Sequence, residues 1–168
     1  MAKRTALLTR VYDVANELNV ERTLVDRVVK AYLSFCKNEL RCGHRVNFFD
    51  IAQVVPDIEY VDYNTTFAYK CSVVAEEYAV PYNTVLSIVR GYLETVRDDI
   101  FSGRPANIYG IMTLTPLREN GVVTRVHSSI SQSLQQDLAI FGNHARVYTN
   151  KRFKRRVKEA QIYDRKDA

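Results

Sequence analysis

The sequence predicts an α+β fold in which two tandem helix-helix-strand units pack against each other, followed by a basic C-terminal helix. Residues 14–56 lie over residues 74–116 at an offset of 60, without a gap. Self-similarity at a fixed offset marks one supersecondary unit used twice. Within each copy, apolar residues recur at helical spacing and then change to a strand-like run after a glycine, Gly43 or Gly103. The charge is also uneven. From Arg146 onward there are nine Lys/Arg and three acids, which leaves fifteen bases and sixteen acids before it.

The first helix is expected to start near Thr9 as its cap, with Val11, Val14, Ala15 and Leu18 on one face and Asn19 as its stop. A second helix is expected over residues 21–41, with Val25, Val28, Val29, Tyr32, Leu33, Cys36 and Leu40 as its stripe. Gly43 then favours a left-handed turn, residues 45–55 read as strand, and Pro56 ends it or marks an edge. Residues 57–64 are acidic and read as a connector or a further strand. The second copy starts near Thr66. Its long helix is expected over residues 83–101, with Pro81 before it and Asn83 as cap. Residues 107–117 form the strand, Glu119-Asn120-Gly121 a tight hairpin, and residues 122–126 the returning strand. Residues 134–141 read as a short helix, 145–148 as a last strand, and 151–163 as a basic amphipathic helix with Phe153, Val157 and Ala160 on one face. The chain divides into a first unit, 1–65, and a second, 66–168.

A hydrophobic fraction of 46% in 168 residues supports a packed core. No apolar run reaches the roughly 18 residues of a membrane span, and Ala6-Leu7-Leu8 is too short for a signal-peptide core. The expectation is a soluble, non-secreted protein without a membrane partner. Three cysteines without a CxxC pair suggest reduced thiols. Cys42 and His44 flank Gly43 but lack a second ligand pair at metal-site spacing, so no metal is expected. His127 and His144 stand apart from any nucleophile, and no phosphate-binding loop appears. No enzyme, catalytic residue or cofactor is expected.

A short helix, a longer helix ending in glycine, then a strand resembles the HU and integration host factor family of small DNA-bending proteins. The resemblance covers residues 11–56 and 71–125. It extends to the end through residues 145–157, which look like the family's last strand and basic C-terminal helix. The tandem arrangement resembles a single-chain version of the family's two-subunit body, which implies a pseudo-dimer. The departures concern the family's long β-arms, whose tip prolines wedge between base pairs. The first copy has only residues 57–65 between its strand and the next helix. The second has a short turn without an Arg-Asn-Pro-like tip, and Pro116 overlies Pro56 inside the repeat. Sharp bending by the family mechanism is therefore not expected.

A basic end beside a neutral body points to a polyanion partner. The expected function is non-enzymatic and architectural: sequence-independent binding of double-stranded DNA through its backbone, in a nucleoid-like cytoplasmic setting. The candidate contacts are Arg146, Lys151, Arg152, Lys154, Arg155, Arg156 and Lys158, joined by Arg118 and Arg125 on the hairpin. Arg45 and Arg104, beside the glycine turns, read as solubilising residues. The alternative is a structural component of a bacteriophage particle, of ring, neck or connector type, that uses the fold to assemble with itself or other proteins. The eleven tyrosines favour protein contacts. Tyr32 and Tyr92 belong to core stripes, while Tyr60, Tyr63, Tyr69, Tyr82 and Tyr163 are the candidates for such contacts.

Overall fold

Each copy opens with two helices whose apolar stripes face one another. In a computed structural model, which describes residues 6–60 and 66–166, with side chains for 7–60 and 66–160, these are α1 (Ala6–Leu18) and α2 (Arg22–Arg41), then α3 (Phe67–Tyr78) and α4 (Tyr82–Phe101). The expected boundary after residue 65 and Tyr63 lie outside the described residues. So does the side chain of Tyr163. Helix α1 starts before Thr9, because Leu7 is buried and extends the stripe of Val11, Val14 and Ala15 by one turn. Helix α4 is capped at Pro81, so Asn83 lies inside the helix. Thr66 caps α3 through its side chain, which accepts from the Tyr69 N–H at 3.1 Å. Asn19 and Ala79, one residue past α1 and α3, both take left-handed φ of 52°.

The run after each glycine is a hairpin of two strands rather than one strand. The first copy forms β1 (Val46–Phe48) and β2 (Ala52–Pro56), the second β3 (Ala106–Ile108) and β4 (Met112–Glu119). A turn closes each hairpin, with the Ile51 N–H donating to Phe48 O at 3.0 Å and the Ile111 N–H to Ile108 O at 2.9 Å. Gly110 supplies positive φ (70°) in the second turn; in the first it falls on Phe49 (48°), an uncommon conformation for a bulky residue. Asn120 and Gly121 both have positive φ and join β4 to β5 (Val122–Ile130), which runs four residues further than its apolar start suggests. Gly43 is required twice over. Its φ is +82°, and a Cβ there would collide with the Tyr60 ring, because the Tyr60 N–H donates to Gly43 O at 2.8 Å. Residues 57–60 carry no strand.

The two sheets are three-stranded and antiparallel, in the orders β1-β2-β6 and β3-β4-β5. Strand β6 (Ala145–Thr149) thus joins the sheet of the first copy and not that of the second, where the sequence reading placed it. The second sheet is already completed by β5, while β2 leaves an edge that β6 fills from Ala52↔Thr149 to Pro56↔Ala145. The connection from β2 to β6 is therefore the entire second copy. Asn143, only 6% exposed, clips its two ends together. Its Oδ1 accepts from the Ile58 N–H at 3.0 Å and its Nδ2 donates to Ile58 O at 3.0 Å. The Asp57 N–H donates to His144 O at 2.7 Å.

Both copies share one hydrophobic core. Helix α1 packs on α4, α3 on α2, and α2 on α4. Buried charge also crosses between copies. Arg10 of α1, 4% exposed, pairs at 2.8 Å with Asp99 near the end of α4, and Arg104 holds the other Asp99 oxygen at 2.9 Å. At the matching places stand Lys70 and Glu39, both buried, with His44 Nδ1 at 3.0 Å from Glu39. No helix among the described residues is long and apolar enough to cross a membrane.

Asn143→Ala strands the Ile58 amide and carbonyl at the seam. It is expected to lower stability by about 1–3 kcal/mol, read as a lower urea midpoint at unchanged slope. Truncation after Gly142 is expected to abolish the cooperative unfolding transition, since it removes a strand of the first sheet together with buried Phe153 and Val157. A truncated chain that melts as sharply as the full one would contradict this role for β6.

Candidate polyanion-binding surface

Helix α6 (Lys151–Lys166) is fixed at its start by Asn150. The Asn150 Oδ1 accepts from the Arg152 N–H at 2.9 Å and the Phe153 N–H at 3.2 Å, and the Asn150 N–H donates to Ile51 O at 2.9 Å. Phe153 and Val157 are fully buried; Phe153 meets Phe101 of α4 edge-on with ring centroids 5.5 Å apart. Burying each of these side chains contributes about 1.5–3 kcal/mol, enough to seat the helix. It lies on α4 and β5. Its outward side presents Lys151, Arg152, Arg155 and Lys158, all exposed, with Lys154 and Arg156 half-buried.

Helix α5 (Gln132–Ile140) is the measure of how unusual this is. It follows β5 as α6 follows β6. The Ser131 N–H donates to Ile111 O as the Asn150 N–H does to Ile51 O. Residues 132–140 and 151–159 have the same order of buried and exposed positions, with Leu134 and Leu138 where α6 has Phe153 and Val157. The two helices thus occupy matching slots. Position by position, Gln132, Ser133, Gln135, Gln136, Asp137 and Ala139 stand where α6 has Lys151, Arg152, Lys154, Arg155, Arg156 and Lys158. The slot does not require cations. Among the described residues, Lys151, Arg152, Lys154, Arg155 and Lys158 make no ion pair with an acidic side chain. Three of them lie in the first turn, where the positive end of the helix dipole disfavours cations by about 0.3–1 kcal/mol each.

The remaining predicted contacts are not gathered on this helix. Arg146 projects from the exposed face of β6 and pairs with Asp57 at 3.3 Å. Arg118 is held by the carbonyls of Gly103 (3.2 Å) and Gly121 (3.4 Å). Arg125 is exposed on β5 opposite Leu117. Arg104 is engaged with Asp99, and Arg45 with Glu59, whose carboxyl it holds below the ordinary range. Two residues were absent from the predicted set. Asp50 forms an ion pair with Arg97 of α4 at 3.3 Å and lies 3.9 Å from Arg156. The repeat carried a signal for them, since Asp50 overlies Gly110 and Arg97 overlies Lys37.

No group of three or more His, Cys, Asp or Glu capable of holding a metal occurs among the described residues. Burial pushes the thiols of Cys36 and Cys71 up to about 11, against the lowering pull of Lys70 on both, and Cys42 is exposed. Compared with known proteins, the chain matches no family model, no curated protein and no solved structure. Titration of the native protein with a thiol reagent at pH 8 is expected to label one cysteine per chain rapidly and the other two only on unfolding. Rapid labelling of three would contradict the burial of Cys36 and Cys71.

Proposed function

We propose that the chain binds double-stranded DNA through its phosphate backbone, without sequence specificity, using the outward side of α6. The observation that carries this reading is the contrast between the two matching helices. The same slot is filled once by a helix with no cation and a single acid, Asp137, and once by a helix whose cations, Arg156 apart, have no acidic partner among the described residues and stand against its own dipole. A mobile or solubilising charge needs no such ordered placement, whereas a phosphate run is stabilised by it. On this reading the two copies form a single-chain pseudo-dimer of HU/integration-host-factor-like units. Each has two helices, a hairpin, a closing strand and a final helix, and the second unit is inserted where the arm of the first would be. The second unit has only the Asn120-Gly121 turn for a tip, so the protein coats or tethers DNA without bending it sharply.

A second reading is favoured by Ile140 and Phe141, 80% and 63% exposed at the end of α5. Exposed neighbouring apolar residues suit a protein contact, as in the assembly of a bacteriophage particle. Light scattering separates the readings: a ring or larger oligomer that dissolves on Phe141→Ser supports assembly, and a monomer counts against it.

DNA binding is tested by fluorescence anisotropy with a random duplex across a salt series. Four to five phosphate contacts predict a log–log slope of about −4. Reversal of Arg152, Arg155 and Arg156 to Glu is expected to lower affinity by about 100-fold or more at low salt. Absent or salt-insensitive binding by the wild type overturns the proposal.

A further inference from the structure

The basic residues of α6 do not end at the helix. Arg97 of α4 and Arg156 of α6 converge on a single oxygen, Asp50 Oδ2, at 3.3 and 3.9 Å. Asp50 is at the tip of the first hairpin, held there by the turn in which Phe49 takes positive φ. Beside it opens a cleft of about 630 Å³ lined by Phe49, Asp50, Arg90, Leu93, Glu94 and Arg97. The guanidinium of Arg97 lies over the Phe101 ring, 5.7 Å from its centroid, and its Nε–H is buried without a hydrogen-bond partner. Among the described residues Arg97 therefore holds an unspent donor, and the one carboxylate it pairs with is shared with a second arginine. Two guanidiniums around one oxygen make a site suited to a doubly coordinated anion.

The matching corner of the molecule is built differently. Gly110 replaces Asp50, and Lys37, in place of Arg97, lies so close that a Cβ on Gly110 would be 2.6 Å from its Nζ. Lys37 also faces the Tyr109 ring at 5.9 Å. Asp137 replaces Arg156 and pairs with Arg41 at 3.2 Å. That corner has no converging guanidiniums, and its helix, α5, has no cations to continue a track.

We propose that Arg97 is a phosphate-contacting residue of the same DNA surface as α6, and that Asp50 is the internal counter-ion a phosphate oxygen displaces. This rests on the DNA-binding reading above. The DNA then runs along one side of the molecule only, from the outward side of α6 across to α4, and the α5 side stays free. No covalent step is involved; a phosphodiester oxygen takes the place of Asp50 Oδ2 between Arg97 and Arg156.

The test is the same salt series with a random duplex, applied to Arg97→Gln, Asp50→Asn and Lys37→Gln. Arg97→Gln is expected to weaken binding and reduce the salt slope by about 1. Asp50→Asn is expected to raise affinity by about 3- to 10-fold, since it removes a competing negative charge. Lys37→Gln, at the matching place, is expected to change neither. An unaltered slope in Arg97→Gln, with affinity still lowered by the α6 reversals, overturns this inference and leaves the DNA-binding reading standing. A wild type that does not bind DNA overturns that reading, and this inference with it. Should Arg97→Gln lose its thermal transition, Asp50→Asn decides alone: raised affinity supports the proposal, and equal or lower affinity refutes it.

Discussion

The structure depends on the pairing of β6 with β2. Without that ladder the first sheet would be two short strands, which are marginal on their own. With it, a strand from the end of the chain reaches back across the whole second copy, and Asn143 fastens the crossing at Ile58. The same pairing sets α6. The Asn150 N–H that continues the ladder to Ile51 O belongs to the residue that caps the helix. Phe153 then meets Phe101 of α4, so a helix following a strand of the first copy is seated on the second. The basic residues are therefore part of the body and not an appendage.

That placement gives the charge its meaning. Surface cations near acids are worth little, and several basic residues are neutralised in this way: the candidate Arg146 by Asp57, and Arg45 and Arg104 of the glycine turns by Glu59 and Asp99. The cations of α6 outside the Asp50 corner have no such counter-charge among the described residues, and α5 shows that the fold does without them. Their repulsion from one another and from the helix dipole is a local cost. On the proposed reading, phosphates offset it, which would also concentrate binding on one side of an otherwise two-copy body.

Much of the fold was legible because it is written locally. The stripe of α2 predicts every buried apolar residue of that helix, missing only Glu39, and Asn19, Gly43, Gly103 and Asn120-Gly121 mark chain reversals that need positive φ. What was not legible is non-local. Strand β6 carries Ala-Arg-Val-Tyr-Thr, a pattern that would suit either sheet, and nothing in it says that β2 rather than β4 is its partner. The hairpin turn at Phe49-Asp50 lacks glycine or proline, so β1 and β2 read as one strand, although Gly110 in the other copy held the clue. The correspondence of α5 and α6 was hidden because the two share burial but almost no residue identity. For the site, the charged face of α6 was visible in the sequence. The engagement of Arg118 by backbone carbonyls and of Arg146 by Asp57 was not, and neither was the meeting of Arg97, Asp50 and Arg156, which join three separate elements.

The central claim is that DNA is held by α6 and the adjoining corner of α4, on one side only. Amide chemical-shift mapping during titration with a short random duplex tests it most directly, because α5 is a built-in control in a matching environment. The account predicts shifts concentrated at Lys151 to Lys158 and around Arg97 and Asp50, with residues 132–140 unmoved. Equal shifts on α5 and α6, or shifts confined to the β4–β5 hairpin, would contradict it.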